Sequence, residues 1–357
     1  MYDQSGEELS PSDRVAPPVA DARRLEDEIF NLRADDDDAF DSLRNRVADF
    51  QRANLPFYDN FCRSVAMDPA YLPVEAYSLT RVATFPESSD EAVFESSGTT
   101  GKRRSRHHVR SLALYARAVT TGFSHHFGDG PFTFRALLPE YSEQGERSSL
   151  VTMARILVDA FGDEQSGFVL DDPTVLRQPE PQAAVRNPVV VLGAAFGLVD
   201  LVAQGGGGGL SKADIVIETG GMKTHRREMT RALLHETIMR GFNVAASQVW
   251  SEYGMCEMMS QCYMHGNSTF VCPPWVRFDV VDADDPAKSK EAGQEGRLAF
   301  VDLANLYTVS ALLTGDRAVR SGSGFEVLGR ISGQDLRGCN FLLEAAAQAT
   351  EPEAAAS

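Results

Sequence analysis

Residues 187–204 read NPVVVLGAAFGLVDLVAQ, and residues 213–221 read ADIVIETGG. The first segment is an unbroken apolar run followed by a glycine turn and a helical pattern. The second is a short apolar run that ends in paired glycines. Short strands that are apolar throughout are typical of a parallel sheet buried on both faces. The alternation of such strands with helices predicts a layered α/β sandwich that binds ligands at the carboxyl ends of its strands.

Helical patterns flank these strands. Apolar residues recur at intervals of three and four in residues 108–127, 151–161 and 224–241, and each segment predicts a helix. Nearer the start, the residues that share one face of a predicted helix are Phe40, Leu43, Val47 and Phe50. The last third of the chain alternates apolar and polar residues between turns, which predicts short antiparallel strands.

The composition argues against several classes of function. The 357 residues include 34 Lys and Arg against 51 Asp and Glu, a net charge of −17. This charge repels nucleic acids and anionic membrane surfaces, so neither partner is expected. The longest apolar run, residues 189–199, is too short for membrane insertion, which needs about 20 residues. Five cysteines and no secretion signal favour free thiols in the cytoplasm.

The charge is uneven along the chain. Residues 1–42 contain thirteen acidic and four basic residues, including the run Asp35 to Asp38. Such a segment is typical of a solvated, flexible arm. The predicted organisation is an acidic arm at 1–42, an α/β core at 43–275, a β-rich C-terminal portion at 276–345 and a frayed tail at 346–357.

A polar glycine loop, SSGTTGK, follows the apolar step Val93-Phe94. It consists of Ser96, Ser97, Gly98, Thr99, Thr100, Gly101 and Lys102. Backbone amides, hydroxyls and a cation in one loop suit a polyphosphate, although the spacing differs from the usual nucleotide P-loop. Taken alone, the loop is as consistent with a polar, flexible turn as with a phosphate-binding loop. The basic residues that continue to Arg110 favour the phosphate interpretation in so acidic a chain.

Five further turns contain residues with chemistry of their own, and each could be an ordinary turn if taken alone. Paired glycines after a strand permit close approach of a ligand, a Tyr can stack on a base, and a Glu can bind Mg²⁺ beside a phosphate. An Asp in a turn can accept both hydroxyls of a ribose, and a thiolate is a strong nucleophile. The turns are Thr219-Gly220-Gly221 with Lys223, Tyr253-Gly254-Met255-Cys256-Glu257, Thr314-Gly315-Asp316, Gly329-Arg330 and the surroundings of Cys339.

The order SSGTTGK, TGGMK, YGMCE, TGD, GR resembles that of the adenylate-forming (acyl-AMP) enzymes. The stretches LGAAFGLVDL, SEYGMCEMMSQCY and LRGCNFL are more similar still to the acyl-protein synthetase (LuxE-like) family within that superfamily. The resemblance covers about residues 50–345. It implies an adenylate-forming-enzyme-like layered α/β core, a β-rich C-terminal portion and no full mobile C-terminal domain.

The resemblance also implies a role for each motif. Residues 97–102 would hold the β- and γ-phosphates of ATP, and residues 219–221 would line the adenine and acyl pocket. Tyr253 would lie against the adenine, Glu257 would bind Mg²⁺, and Asp316 would hold the ribose.

Three residues would serve the reaction itself. Arg330 would lie near the ribose and the phosphate, and it, Lys223 or a basic residue after the glycine loop could stabilise the α-phosphate. Cys339 would take the acyl group as a thioester. The implied function is ATP-dependent activation of a carboxylic acid, with a fatty acid favoured, followed by acyl transfer to an acyl-accepting reductase or carrier protein.

Two departures from the family pattern stand out: Met222 where relatives often have an aromatic residue, and Cys256 where a Thr usually precedes the Glu. Three alternatives remain open. The chain could pass its acyl group to CoA or a carrier, or it could bind a nucleotide or carboxylate without catalysis. It could instead hold zinc through Cys256, Cys262, His265 and Cys272.

Overall fold

A computed structural model describes residues 19–65, 67–96, 103–139, 147–176, 186–208, 210–220, 229–266 and 268–331. The helices in these residues are α1 (Val19–Phe30), α2 (Asp37–Asn54), α3 (Pro56–Ser64), α4 (Ala76–Leu79), α5 (Leu112–Phe127), α6 (Ser149–Phe161), α7 (Ala195–Ala203) and α8 (Arg231–Phe242). The strands are β1 (Leu72–Pro73), β2 (Ala92–Glu95), β3 (Arg106–Val109), β4 (Thr133–Leu137), β5 (Gly167–Phe168), β6 (Val189–Ala194), β7 (Ile215–Thr219), β8 (Val249–Tyr253), β9 (Cys262–His265), β10 (Val276–Val281), β11 (Glu295–Asp302), β12 (Ala311–Ser321) and β13 (Gly324–Arg330).

A six-stranded sheet in the order β5-β4-β6-β7-β8-β9 forms the centre of the core. Its first five strands are parallel, and β9 runs antiparallel at the edge. Val189 and Val191 of β6 pack with α7 and α8, whereas Val190 and Leu192 pack with α5 and α6. Since successive side chains of a strand point to opposite faces, helices cover the sheet on both sides. The strand buried on both faces that the apolar run predicts is confirmed.

The β-rich portion is a second sheet, in which β10, β11, β12 and β13 pair antiparallel in chain order. The short strand β1 from the N-terminal half pairs parallel with β12. The layered α/β fold class with a β-rich C-terminal portion is therefore confirmed. Within the described residues, no helix is long and apolar enough to cross a membrane.

Helix α2 connects to the second sheet through a buried amide. Gln51 is fully buried; its Nε2 donates to the carbonyl oxygens of Asn305 and Leu306 at 2.9 and 3.2 Å. Its Oε1 accepts from both the backbone N–H and the hydroxyl of Ser310 at 3.1 Å. The apolar pattern places Phe50 on the buried face of this helix, but the structure buries Gln51 there and leaves Phe50 half-buried.

The acidic arm is shorter than the charge pattern predicts. Residues 19–30 form α1, and its Leu25 and Ile29 are buried in the core. Asp36 accepts a hydrogen bond from Ala39 N–H at 2.9 Å, so the Asp run begins α2 rather than extending a solvated tail. Carboxylates are stabilising at this position because a helix N-terminus presents free N–H groups and a positive dipole. Residues 1–18 lie outside the described residues.

Two helices begin or end at residues other than those predicted. The segment 108–127 begins as β3, and its helix starts after Ser111, whose hydroxyl accepts from Leu114 N–H at 3.1 Å. The segment 224–241 is helical from Arg231 onward, and residues 221–228 lie outside the described part of the chain. This helix continues to Phe242 and ends at Asn243, which has a left-handed conformation, rather than at Gly241.

Replacement of Gln51 by Ala should lower the free energy of unfolding by about 2–4 kcal/mol, because it leaves buried carbonyl and N–H groups of the 305–310 segment without partners. The measurement is urea unfolding followed by circular dichroism. Ser42→Ala, on the exposed side of the same helix, is the matched control and should change stability by less than about 0.5 kcal/mol. Equal stability of the two variants would contradict the anchoring role.

Candidate active site

Tyr253 and Asp316 bring the two sheets into contact at the carboxyl end of the parallel strands. Tyr253 is the last residue of β8, and its hydroxyl donates to Asp316 Oδ2 at 2.8 Å. Asp316 lies directly opposite Arg330 in the β12–β13 pairing, and Arg330 Nε lies 3.3 Å from Asp316 Oδ1. Three residues predicted from separate turns of the sequence are thus assembled in one place.

The ring of Tyr253 packs in an aromatic cluster. Its centroid lies 5.7 Å from that of Phe270, 5.6 Å from that of Phe300 and 5.5 Å from that of Phe325. Burial raises the pKa of Tyr253 well above its usual value, and the neighbouring Asp316 carboxylate raises it further. The phenol therefore stays protonated and donates to Asp316. This positioning role is one that the sequence did not predict.

The polar glycine loop emerges from the hairpin formed by β2 and β3. Ser96 and Ser105 close its base, since Ser96 N–H donates to the Ser105 carbonyl at 3.1 Å and Ser105 N–H donates to Ser96 Oγ at 3.0 Å. Ser96 thus has a structural role at the base of the loop. Residues 97–102, predicted to hold phosphates, lie outside the described residues.

Arginines surround this base. Glu95 at the end of β2 lies 2.9 Å from Arg147, 3.5 Å from Arg104 and 4.0 Å from Arg106. One carboxylate therefore faces three guanidinium groups, which leaves an excess of positive charge beside the loop. An excess of this sign attracts phosphate.

A buried histidine connects the hairpin to the turn after Tyr253. His107 Nδ1 lies 2.6 Å from the carbonyl oxygen of Cys256. Burial lowers the pKa of His107 to about 4, so the ring is neutral near pH 7. A carbonyl oxygen only accepts, so Nδ1 carries the proton and donates it. The glycine-loop hairpin and the YGMCE turn are consequently fixed to each other.

Glu257, the predicted magnesium ligand, is buried in this turn, and its own carbonyl accepts from Asn305 Nδ2 at 2.8 Å. The described residues contain no group of three or more His, Cys, Asp or Glu that could hold a metal ion. Mg²⁺ usually takes one or two protein carboxylates and completes its shell with water and substrate phosphates. A single buried Glu fits that donor set.

The zinc alternative is wrong. Cys256, Cys262, His265 and Cys272 are all described, and they do not form a metal-binding group. His265 Nε2 instead lies 2.8 Å from the carbonyl oxygen of Ser247.

The next-to-last residue of β8, Glu252, is one that the sequence analysis missed. It is the partner of Thr219 in the β7–β8 register, and the Thr219 hydroxyl donates to its carboxyl group. Burial raises the pKa of Glu252 to about 7, and the nearby Glu218 carboxylate acts in the same direction. A Cβ at position 254 would overlap Glu252 Oε1, so the carboxyl group lies where Gly254 leaves room for it. The sequence Ser251-Glu252-Tyr253-Gly254 contains a signal that could have indicated Glu252, namely an acidic residue within a strand of a buried sheet.

Arg231, at the start of α8, is a second missed residue. Its guanidinium carbon lies 4.9 Å from the centre of the Phe270 ring, and Glu218 and Glu326 are close enough to favour its charge. Burial lowers the pKa of Arg231, yet a guanidinium remains protonated at neutral pH. A fixed cation therefore lies beside the aromatic cluster that contains Tyr253.

The other predicted site residues divide into two groups. Gly220 follows Thr219 at the carboxyl end of β7 with a φ of 77°, a left-handed conformation that favours glycine. Gly221, Lys223 and Cys339 lie outside the described residues, so their predicted roles stay predictions.

No protein-family model matches the sequence, and no curated protein matches it. Solved structures do. An open conformation of 2-hydroxyisobutyryl-CoA ligase with 2-HIB-AMP and CoA aligns over 93% of this chain and 81% of its own, with 15% identity and a TM-score of 0.56. The chain shares the fold of this ligase.

Two further structures of that ligase agree. The postadenylation state with R3-HIB-AMP aligns over 93% of this chain and 73% of its own, with 14% identity and a TM-score of 0.55. The thioesterification state with 2-HIB-AMP and CoA aligns over 93% of this chain and 74% of its own, with 16% identity and a TM-score of 0.53. At these identities the likeness establishes the fold.

Glu252→Gln should remove part of the pH dependence of stability. The folded pKa of about 7 exceeds the usual value near 4.3, so between these values the folded state retains a proton that the unfolded state has released. Stability should therefore fall as pH rises from about 4.5 to 7, by at most about 3 kcal/mol, and then level off.

The measurement is urea unfolding at a series of pH values. Asp302, whose pKa burial raises to about 6, titrates in the same window in both proteins, so the difference between them isolates Glu252. Glu236→Gln, on the exposed side of α8, is the control that removes a surface carboxylate. Parallel pH curves for the wild type and Glu252→Gln would contradict the buried protonated carboxyl.

Proposed function

We propose that this protein activates a carboxylic acid with ATP to form acyl-AMP and then transfers the acyl group to Cys339 as a thioester. The observation that carries the first step is the contact among Tyr253, Asp316 and Arg330, which spans two sheets at the carboxyl ends of the parallel strands. The fold likeness to a ligase whose structures contain an acyl-AMP supports the same step.

Asp316 has the properties of a ribose acceptor. Its two carboxylate oxygens offer about four acceptor positions. Tyr253 occupies one and Arg330 faces another, which leaves two for the two hydroxyls of a ribose. The side chain is only 9% exposed, so bonds made there would face little competition from water.

The β2–β3 hairpin would supply the phosphate site. Hydrogen bonds between Ser96 and Ser105 fix the described residues on either side of 97–102, and the arginines around Glu95 add positive charge. The attack of a carboxylate on ATP brings two anions together, so such charge is needed. A correctly placed donor is commonly worth about 10²–10³ in rate.

Glu257 would hold Mg²⁺ together with phosphate oxygens of ATP. The ion, when bound, would offset negative charge on the phosphates. The protein's own contribution is orientation: His107 fixes the turn that contains Glu257 against the phosphate hairpin. Holding the acid and ATP in line can supply roughly 7–11 kcal/mol.

The proposed reaction has two steps. A carboxylate oxygen of the acid attacks the α-phosphorus of ATP, and pyrophosphate leaves. The Cys339 thiolate then attacks the acyl carbon of the mixed anhydride, AMP leaves, and the thioester retains much of the activation. Lys223, Arg330 or Arg231 would stabilise the α-phosphate. A fatty acid is the proposed substrate, and an acyl-accepting reductase or carrier protein is the proposed partner, both on the sequence resemblance.

Exchange of labelled pyrophosphate into ATP tests the first step. We expect exchange that depends on one class of carboxylic acid in a panel of fatty, aromatic and short hydroxylated acids. Asp316→Asn should raise the KM for ATP about tenfold or more, since it weakens the charged acceptor of the ribose hydroxyls. Arg317→Gln, on the exposed side of the same strand, should leave KM unchanged.

The absence of exchange with every acid, at ATP concentrations that saturate binding, would exclude adenylation. It would leave a nucleotide- or carboxylate-binding protein without catalysis.

The second step is tested by incubation with ATP and radiolabelled acid in the absence of CoA. We expect label that remains on the protein, is released by hydroxylamine, and disappears in Cys339→Ala while pyrophosphate exchange persists. Cys62→Ala is the matched control and should retain the label. Exchange without protein labelling, together with formation of acyl-CoA when CoA is added, would favour a CoA ligase instead.

A further inference from the structure

Two cysteines face each other across the edge of the central sheet. Cys262 Sγ, in β9, lies 3.1 Å from Cys272 Sγ. The adjacent facing pair is Tyr263 and Val271. Tyr263 N–H donates to the Val271 carbonyl at 3.1 Å, and Val271 N–H donates to the Tyr263 carbonyl at 2.9 Å. Both residues are free thiols in this structure.

The geometry of this ladder suits a covalent bond. Because Tyr263 and Val271 exchange both hydrogen bonds, the next facing pair, Cys262 and Cys272, is a non-hydrogen-bonded pair. Cα atoms in such pairs are about 4.5 Å apart, within the range of about 4.4–6.8 Å that disulfides require. The sulfur atoms need to move by about 1 Å to reach the bond length of about 2.05 Å.

We propose that Cys262 and Cys272 are a dithiol–disulfide pair that forms a cross-strand bond under oxidation. The two thiols differ in access, which orders the steps. Cys262 is fully buried, whereas Cys272 is half-buried and follows Val271, which is 40% exposed. Cys272 is therefore the thiol that an external reagent meets first, and burial raises the pKa of the Cys262 thiol.

The reaction is an exchange with a small-molecule disulfide. The Cys272 thiolate attacks one sulfur of that disulfide and releases the other half as a thiol. The Cys262 thiolate then attacks Cys272 Sγ and displaces the second half. Two protein thiols are oxidised, the small-molecule disulfide is reduced to two thiols, and the two protons pass to the released thiolates.

The bond would join β9 to the segment between β9 and β10, near the Tyr253–Asp316 contact. Cys262 is the register partner of Tyr253 in the β8–β9 pairing. Cys272 lies two residues after Phe270, which exchanges two backbone hydrogen bonds with Phe325 of β13. Because the sulfurs already lie together, the disulfide should stabilise the folded state without displacing either strand. The proposal does not depend on the proposed function.

The test is oxidation of the full-length protein with oxidised glutathione, followed by thiol counting and mass spectrometry. We expect a loss of two thiols and a mass lower by two hydrogen atoms. Proteolysis without reduction should yield one linked peptide pair that contains Cys262 and Cys272. Tm should rise by roughly 2–5 °C and return to its initial value with dithiothreitol.

Two variants control the test. Cys62→Ser should behave as the wild type, because Cys62 is a free thiol outside the pair. Cys272→Ala, at the half-buried position, should abolish both the loss of thiols and the rise in Tm. An unchanged thiol count, a bond that involves other cysteines, or a stable glutathione adduct on Cys272 would each overturn the proposal, since each shows that Cys262 does not reach Cys272.

Discussion

The hydrogen bond from Tyr253 to Asp316 is the interaction on which the candidate site depends. It joins the six-stranded sheet to the antiparallel sheet, and it lies where β8 of the first sheet ends beside β12 of the second. Burial keeps the phenol protonated, so it donates to the Asp316 carboxylate, which accepts. Arg330 balances the charge of that carboxylate.

The fold was predictable where an entire face of a strand or helix is buried, because apolar residues then recur in a regular pattern. The run VVVLGA needed no partner information, because a short segment that is apolar at every position is buried on both sides. Tyr253, Asp316 and Arg330 were predicted by motif order, and the β12–β13 register shows why the last two belong together. Residues 97–102, predicted to hold phosphates, and Cys339 were predicted in the same way, and they lie outside the described residues.

What the sequence did not predict are polar groups whose environment is made by distant segments. Gln51 resembles a solvent-facing residue until the 305–310 segment supplies its partners, more than 250 residues away. Glu252 resembles any surface acid until Thr219 and the sheet enclose it. The Asp35–Asp38 run resembles a solvated tail in the sequence. It begins α2 only because the apolar face of that helix has a core to pack against.

The fit between Gly254 and Glu252 has an evolutionary consequence. The carboxyl group occupies the volume that any side chain at position 254 would need. A larger residue there would require the carboxyl group to move from the position in which it accepts from the Thr219 hydroxyl. The two positions should therefore covary in descendants of this chain: glycine should be retained at 254 wherever 252 is acidic, and other residues should be admitted at 254 only where 252 has shortened.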